Sequence, residues 1–255
     1  MSLQIIILAG GKGTRIKPVL GDTPKILAKI KDRLFIDWMM LWINSWNIQF
    51  SKPIILSTCI GHDFIAEYSK DKAYPIKCEK EITPLGTFGA VANVSCNNFA
   101  ENYLILNGDT IFKANFKKTY ESFISGKRLK PLIFLKESIN NKRYGGYKKT
   151  SKGWIFSHKN TNFISLGAFF ISREILLSRW TEATNLKFEK NQINTSQNQE
   201  WMIDKHCLGD KPSSAIVLNK DIPFLDIGVP NSLEEAQNYI PKILQSQRVI
   251  INNKL

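Results

Sequence analysis

Gln4-Ile5-Ile6-Ile7-Leu8-Ala9-Gly10-Gly11-Lys12-Gly13-Thr14-Arg15 joins an unbroken apolar run to a glycine-rich, cationic loop. Five of the six residues from Gln4 to Ala9 are apolar. They lack the in-out alternation of a half-exposed strand, and glycines follow at once. This pattern predicts a strand buried on both faces of a parallel sheet. Gly10, Gly11 and Gly13 let the backbone approach a ligand closely and present N–H groups to phosphate oxygens. Arg15 adds a planar fork suited to phosphate, and Lys25, directly after Pro24, adds a mobile point charge. The loop is an anion cradle by chemistry. It is not a P-loop, whose Gly-x-x-x-x-Gly-Lys-Ser/Thr spacing is absent, and no glycine follows Gly13 at the third position, as a dinucleotide fingerprint requires.

Downstream, Phe35, Trp38, Trp42 and Trp46 recur at the three- and four-residue steps of one helix face, a stripe read as core packing. Apolar runs at Pro53–Thr58, Tyr103–Asn107 and Pro131–Leu135 alternate with helix-like segments at His62–Ser69, Thr87–Ser95 and Phe116–Ser125. Alternation of that kind predicts βαβ units, hence an α/β fold with a Rossmann-like, mostly parallel sheet flanked by helices. After Tyr144 the pattern changes to short strands near Gly146–Lys149, Trp154–Ser157 and Ser165–Ile171. We read residues 140–172 as a small antiparallel insertion beside the sheet, able to wall a cleft. Residues 184–199, dominated by Asn, Gln, Thr, Lys and Ser, read as a mobile surface loop. Ser232 is expected to cap a last helix, Ser232–Tyr239, with two glutamates in its first turn. The 255 residues are expected to form one domain.

Two aspartates stand at predicted strand ends. Asp109, in Asn107-Gly108-Asp109-Thr110, follows the apolar run Tyr103–Leu106, and open α/β folds place their ligands at the carboxyl ends of strands. Asn-Gly-Asp also suits a plain turn. Asp226, in Phe224-Leu225-Asp226-Ile227-Gly228-Val229-Pro230, again follows apolar residues. Mg²⁺ is commonly held by one or two carboxylates together with substrate phosphates, so this pair is a candidate metal site.

The series Leu8-Ala9-Gly10-Gly11-Lys12-Gly13-Thr14-Arg15, Pro18, Pro24-Lys25, then Pro84-Leu85-Gly86-Thr87-Phe88-Gly89-Ala90, Asn107-Gly108-Asp109-Thr110 and Asp226-Ile227-Gly228-x-Pro230 resembles, in order, the sugar-1-phosphate nucleotidyltransferases. Among them it looks most like the D-glycero-D-manno-heptose 1-phosphate guanylyltransferases. The resemblance implies that an NTP, GTP for that subfamily, and a sugar 1-phosphate yield an NDP-sugar and pyrophosphate. It implies Arg15, Lys25 and Asp109 as catalytic residues, and Leu8, Gly10, Gly11, Gly13, Thr14, Gly86 and Thr87 at the nucleotide. It also implies Gly145, Lys159 and Gly167 at the sugar phosphate and Mg²⁺ on Asp109 and Asp226. The sugar side departs from the family pattern. His158 stands for a glutamate before Lys159, Ser165 for an asparagine before Leu166-Gly167, and Phe88 for a glycine in Pro84–Ala90, the loop that the resemblance places near base and ribose; Glu200 aligns with a late acidic position. Mannose-1-phosphate guanylyltransferases, other hexose-1-phosphate nucleotidyltransferases and a catalytically silent sugar-nucleotide binder are the alternatives.

Composition narrows the partners. The net charge of +13 attracts polyanions in general. Its lysines and arginines are scattered in pairs rather than set in a stripe interleaved with aromatics, which argues against a nucleic-acid groove. The densest apolar stretch, Leu34–Ile43, is too short to span a bilayer, and the chain opens without a basic lead or small-residue cleavage site. The expected partners are therefore the two small-molecule substrates, with no membrane insertion and a cytoplasmic location; a homo-oligomer is compatible with this. Cys59, Cys78, Cys96 and Cys207 are widely spaced, predicting reduced and mostly buried thiols.

Overall fold

The computed structural model describes residues 1–50, 52–70, 72, 75–138, 146–157, 161–184 and 200–245. Gly145, His158, Lys159 and residues 185–199 of the polar loop lie outside them.

The opening apolar run forms β1 (Leu3–Leu8), a central strand with partners on both sides. Ile5 and Ile7 enter one hydrophobic cluster and Ile6 the other, so an unbroken apolar sequence satisfies two buried faces at once. In chain order follow α1 (Lys17–Leu20), a small hairpin of β2 (Lys29–Ile30) and β3 (Arg33–Leu34), then α2 (Phe35–Asn44), β4 (Ile54–Thr58), α3 (His62–Ser69), β5 (Ile76–Lys80), α4 (Gly86–Asn97) and β6 (Asn102–Asn107). β1 pairs in parallel with β4 and with β6, and β4 pairs in parallel with β5. The next elements are β7 (Thr110–Phe112), α5 (Phe116–Ser125), β8 (Leu132–Glu137), β9 (Gly146–Thr150), β10 (Gly153–Ser157), β11 (Phe163–Ser172), α6 (Arg173–Thr184), β12 (Ser214–Leu218), β13 (Phe224–Asp226) and α7 (Pro230–Gln245).

The antiparallel strands predicted near 146–171 are present, and they continue the main sheet rather than standing apart. β11 runs antiparallel to β6 along Ala168–Ser172, and past a register shift between Ser165 and Phe169 its first residues pair with β9. β8 does not join β6 as a simple βαβ unit would; β11 separates them, and β8 instead pairs in parallel with β12. β5 and β12 carry no clear strand signal in the sequence. β5 is Ile-Lys-Cys-Glu-Lys at the sheet edge, where charge discourages unwanted pairing and hides the strand pattern, and β12 is only partly buried.

Helices α2, α5 and α7 pack into the cluster on one face of the sheet, and α4 and α6 into the other. The aromatic stripe is core, as its spacing predicted. Trp42 is 1% exposed, its ring meets Trp46 at 4.9 Å and Phe116 at 5.2 Å, and its Nε1 donates to the Phe112 carbonyl at 2.9 Å. The final helix starts two residues before the expected cap. Pro230 begins it, where the missing N–H costs nothing. Ser232 sits inside the first turn, its hydroxyl bonding back to the backbone of Val229. The cysteines are free, but only Cys207 is fully buried, where desolvation pushes its thiol up to about 12. Among the described residues no helix is long and apolar enough to cross a membrane.

Trp42→Ala should cost about 3–5 kcal/mol, the range for deleting a large aromatic from a core. The midpoint of urea unfolding followed by circular dichroism measures it.

Candidate active site

β1, β4, β5 and β6 run parallel, so their carboxyl ends come out on one side of the sheet. A cavity of about 370 Å³ lies there. Backbone bonds hold the strand ends together: Ala9 N donates to Ser57 O at 2.8 Å, Gly108 N to Leu8 O at 2.9 Å and Glu81 N to Thr58 O at 2.7 Å. Glycine at 108 is required by that contact, since a Cβ would lie 2.5 Å from the Leu8 carbonyl oxygen. The cavity gathers Leu8, Gly10, Gly11, Gly13, Thr14, Arg15, Lys25, Gly86, Thr87 and Asp109, all of them singled out from the sequence. Gly13 takes φ +60° and its carbonyl accepts from Ile16 N and Lys17 N, turning the glycine loop into α1.

Among the described residues Lys25 and Asp109 form the shorter and less exposed of the two ion pairs in this cavity. Their side chains are each 21% exposed, with Nζ 2.5 Å from Oδ2. The Thr110 hydroxyl donates to the other oxygen of Asp109 at 3.1 Å. Asp226 does not line the cavity, but β13 lies antiparallel to β7 with Asp226 opposite Thr110, and Ile227 N donates to Asp109 O at 3.0 Å. Asp109 thus directly precedes β7 and Asp226 ends its partner strand β13, and hard oxygen donors of this kind suit a divalent cation. Among the described residues no group of three or more His, Cys, Asp or Glu is placed to hold a metal ion. Substrate phosphates would have to complete such a site.

Of the sugar-side candidates, Gly145 and Lys159 lie outside the described residues. Gly167 is outside the cavity lining. It takes φ +67°, and a Cβ there would strike the Asn107 side chain at 2.4 Å, so its missing side chain leaves room for Asn107, which does line the cavity. Ser165 Oγ accepts from Gly167 N at 3.2 Å and shapes the same bulge. Phe88 leaves the cavity unobstructed, because its ring is fully buried and meets Trp180 edge-on at 5.3 Å.

Two acids of the cavity were not assigned a role from the sequence. Glu81 is only 6% exposed. It accepts from Ser57 Oγ and Leu85 N, both at 3.1 Å, and burial raises its carboxyl above the ordinary range despite those bonds. In the charged run Lys77–Glu81 nothing marked this residue for burial. Glu200 enters from the far end of the polar loop and meets Lys12. Beside it, Trp201 is clamped to the start of α4, its N–H donating to Leu85 O at 2.7 Å and its carbonyl accepting from Phe88 N at 2.7 Å. Ile203 N donates to Thr87 Oγ1 at 2.9 Å.

Residues 4–243 match the family model for the nucleotidyl transferases. The chain belongs to the nucleotidyl transferase family. It is 28% identical over 241 residues to the D-glycero-alpha-D-manno-heptose 1-phosphate guanylyltransferase of Aneurinibacillus thermoaerophilus, covering 92% of this chain and 97% of the relative. The enzyme of that name from Campylobacter jejuni is 28% identical over 236 residues, covering 89% and 96%. The crystal structure of HddC from Yersinia pseudotuberculosis superimposes with a TM-score of 0.70 at 26% identity, over 93% of this chain and 98% of that one. Similarity along nearly the whole length of each means that the glycine loop, the Pro84–Ala90 loop and both aspartates fall inside the family's nucleotidyltransferase fold.

In this nucleotidyl transferase, Gly86 takes φ +72°, and a Cβ there would lie 2.6 Å from Trp201 N. Gly86→Ala should therefore cost about 1–3 kcal/mol of strain and displace the 200–203 segment. A lowered melting temperature together with a raised KM for the nucleoside triphosphate is the expected result; a KM that stays put would separate this segment from nucleotide binding.

Proposed function

We propose that the protein transfers a nucleotidyl group from GTP to D-glycero-D-manno-heptose 1-phosphate, giving a GDP-sugar and pyrophosphate in the cytoplasm. The observation that carries this reading is the meeting of Arg15, Lys25 and Asp109 with the glycine loop in one cavity at the carboxyl ends of the sheet strands. The two heptose 1-phosphate guanylyltransferases to which the chain is similar support the choice of substrates.

An oxygen of the sugar phosphate, already anionic at neutral pH, attacks the α-phosphorus. The bond to the bridging oxygen breaks, and pyrophosphate leaves with its electron pair. No side chain need remove a proton from the nucleophile, so rate enhancement comes from alignment and charge neutralisation. The backbone N–H groups of Gly10–Gly13 and the Arg15 fork hold the polyphosphate, and Lys25 offsets charge at the reacting phosphorus. Asp109 and Asp226 would hold Mg²⁺, which when bound supplies positive charge against the α-phosphate and the departing group. Gly145, Lys159 and Gly167 are assigned to the sugar phosphate side.

Glu81 supports guanine as the base. An ionised carboxylate only accepts hydrogen bonds, and guanine presents two adjacent donors, N1–H and the N2 amino group. Uracil, thymine, cytosine and adenine offer no such pair on that edge.

The decisive assay measures pyrophosphate release from each nucleoside triphosphate against several sugar 1-phosphates. Asp109→Asn and Asp226→Asn should each lower kcat about a hundredfold or more; unchanged turnover in both would remove the metal assignment. Glu81→Gln should cut the preference for GTP about 10- to 100-fold. Because burial raises the Glu81 carboxyl, it takes up a proton at a higher pH than an ordinary glutamate and loses an acceptor. The KM for GTP should accordingly climb as pH falls in the wild type, and that climb should be missing in Glu81→Gln.

A further inference from the structure

Lys12 stands in the middle of the glycine loop, and its ammonium is held by Glu200, Nζ to Oε1 3.2 Å. Both side chains line the cavity, 58% and 46% exposed. The two come from segments remote in the chain. Lys12 belongs to the loop after β1, whereas Glu200 is bonded through the chain to Trp201, itself clamped to Leu85 and Phe88 at the start of α4. The ion pair therefore joins the glycine loop to the segment held against Leu85 and Phe88. Glu81, Asp109 and Glu200 give the cavity three carboxylates; Lys25 is engaged by Asp109 and Lys12 by Glu200. A triphosphate adds several more negative charges to this space. A lysine ammonium is a point charge on a flexible stem whose donors rotate freely, so it can turn from a carboxylate to a phosphate without rebuilding the loop. The pair it leaves is solvent-exposed and hence weak, while phosphate oxygens are strong charge-assisted acceptors.

We propose that Lys12 is a further ligand of the nucleotide's phosphates, and that its ion pair with Glu200 is an exchangeable latch, closed in the empty protein and opened by the triphosphate. The proposal rests on the reading of this cavity as a nucleotide site. Glu200 competes for Lys12, so removing its charge strengthens binding of phosphate-bearing ligands and leaves the nucleoside alone.

Titration calorimetry with guanosine, GDP and GTP on the full chain and on Lys12→Met, Glu200→Gln and the double variant tests it, with melting temperatures confirming that the variants fold. Glu200→Gln should bind GTP more tightly, by up to about fivefold given the strength of exposed pairs, with guanosine unchanged. Lys12→Met should bind GTP more weakly, again with guanosine unchanged. The double variant should match Lys12→Met, because the effect of Glu200 passes through Lys12. Weaker binding of both guanosine and GTP by Glu200→Gln would make Glu200 a nucleoside contact and overturn the latch. Tightening that persists in full without Lys12 would reduce it to general charge repulsion and overturn the latch as well. A wild type that binds GTP while Lys12→Met binds it equally well overturns the latch alone; a wild type that binds no GTP overturns the nucleotide-site reading itself.

Discussion

β1 is buried on both faces and hydrogen-bonded along both edges, by β4 on one side and β6 on the other. A strand so placed cannot slip in register. A one-residue shift would exchange Ile5 and Ile7 with Ile6 between the two clusters and misplace the bond from Gly108 N to Leu8 O. Because the three strands are parallel, fixing their register also fixes the relative height of everything that follows their carboxyl ends. The glycine loop after β1 and Asp109 after β6 are delivered to one cavity by that single constraint. The helices on the two faces make the constraint possible, since parallel strands buried on both sides need cover on both sides.

Charge in the cavity follows from its position. Glu81 follows β5 and Asp109 follows β6, while Glu200 enters beside Trp201, and each of these acids is offset in a different way. Asp109 has the Lys25 ammonium at 2.5 Å, Glu200 has Lys12, and Glu81 has only the neutral donors Ser57 and Leu85 N. Neutral donors do not compensate for burial in full, so the Glu81 carboxyl is pushed up, and the nearby Glu200 charge adds to the shift. These are three environments for one functional group within one cavity.

The segment from Glu200 to Ile203 ties these uses together. It reaches Lys12 through a side chain, Leu85 and Phe88 through the backbone, and the Thr87 hydroxyl through Ile203 N. Just beyond it, Tyr147 of β9 donates its hydroxyl to Asp204, and complete burial, together with that neighbouring carboxylate, holds the phenol well above its ordinary value. One short stretch thus contacts the glycine loop, the Pro84–Ala90 loop and the antiparallel strands. Gly86 is the residue that permits the close approach.

Much of the site was legible because its chemistry is local. Gly10 to Arg15 carry backbone freedom and cationic donors within a few positions, Asp109 and Asp226 each follow an apolar run, and the Phe35–Trp46 stripe declares its buried face by helical spacing. The amino-acid sequence by itself determined these, since each depends only on residues a turn or a strand apart. The tertiary structure alone decided that β11 separates β8 from β6, that Phe88 turns into the core beside Trp180, and that Ser232 lies inside the last helix. It alone decided that Glu81 and Glu200 enter the cavity. Burial of a lone carboxylate, or its meeting with a lysine 188 residues away, is set by the packing of segments remote in the chain. No periodicity or short motif records that packing.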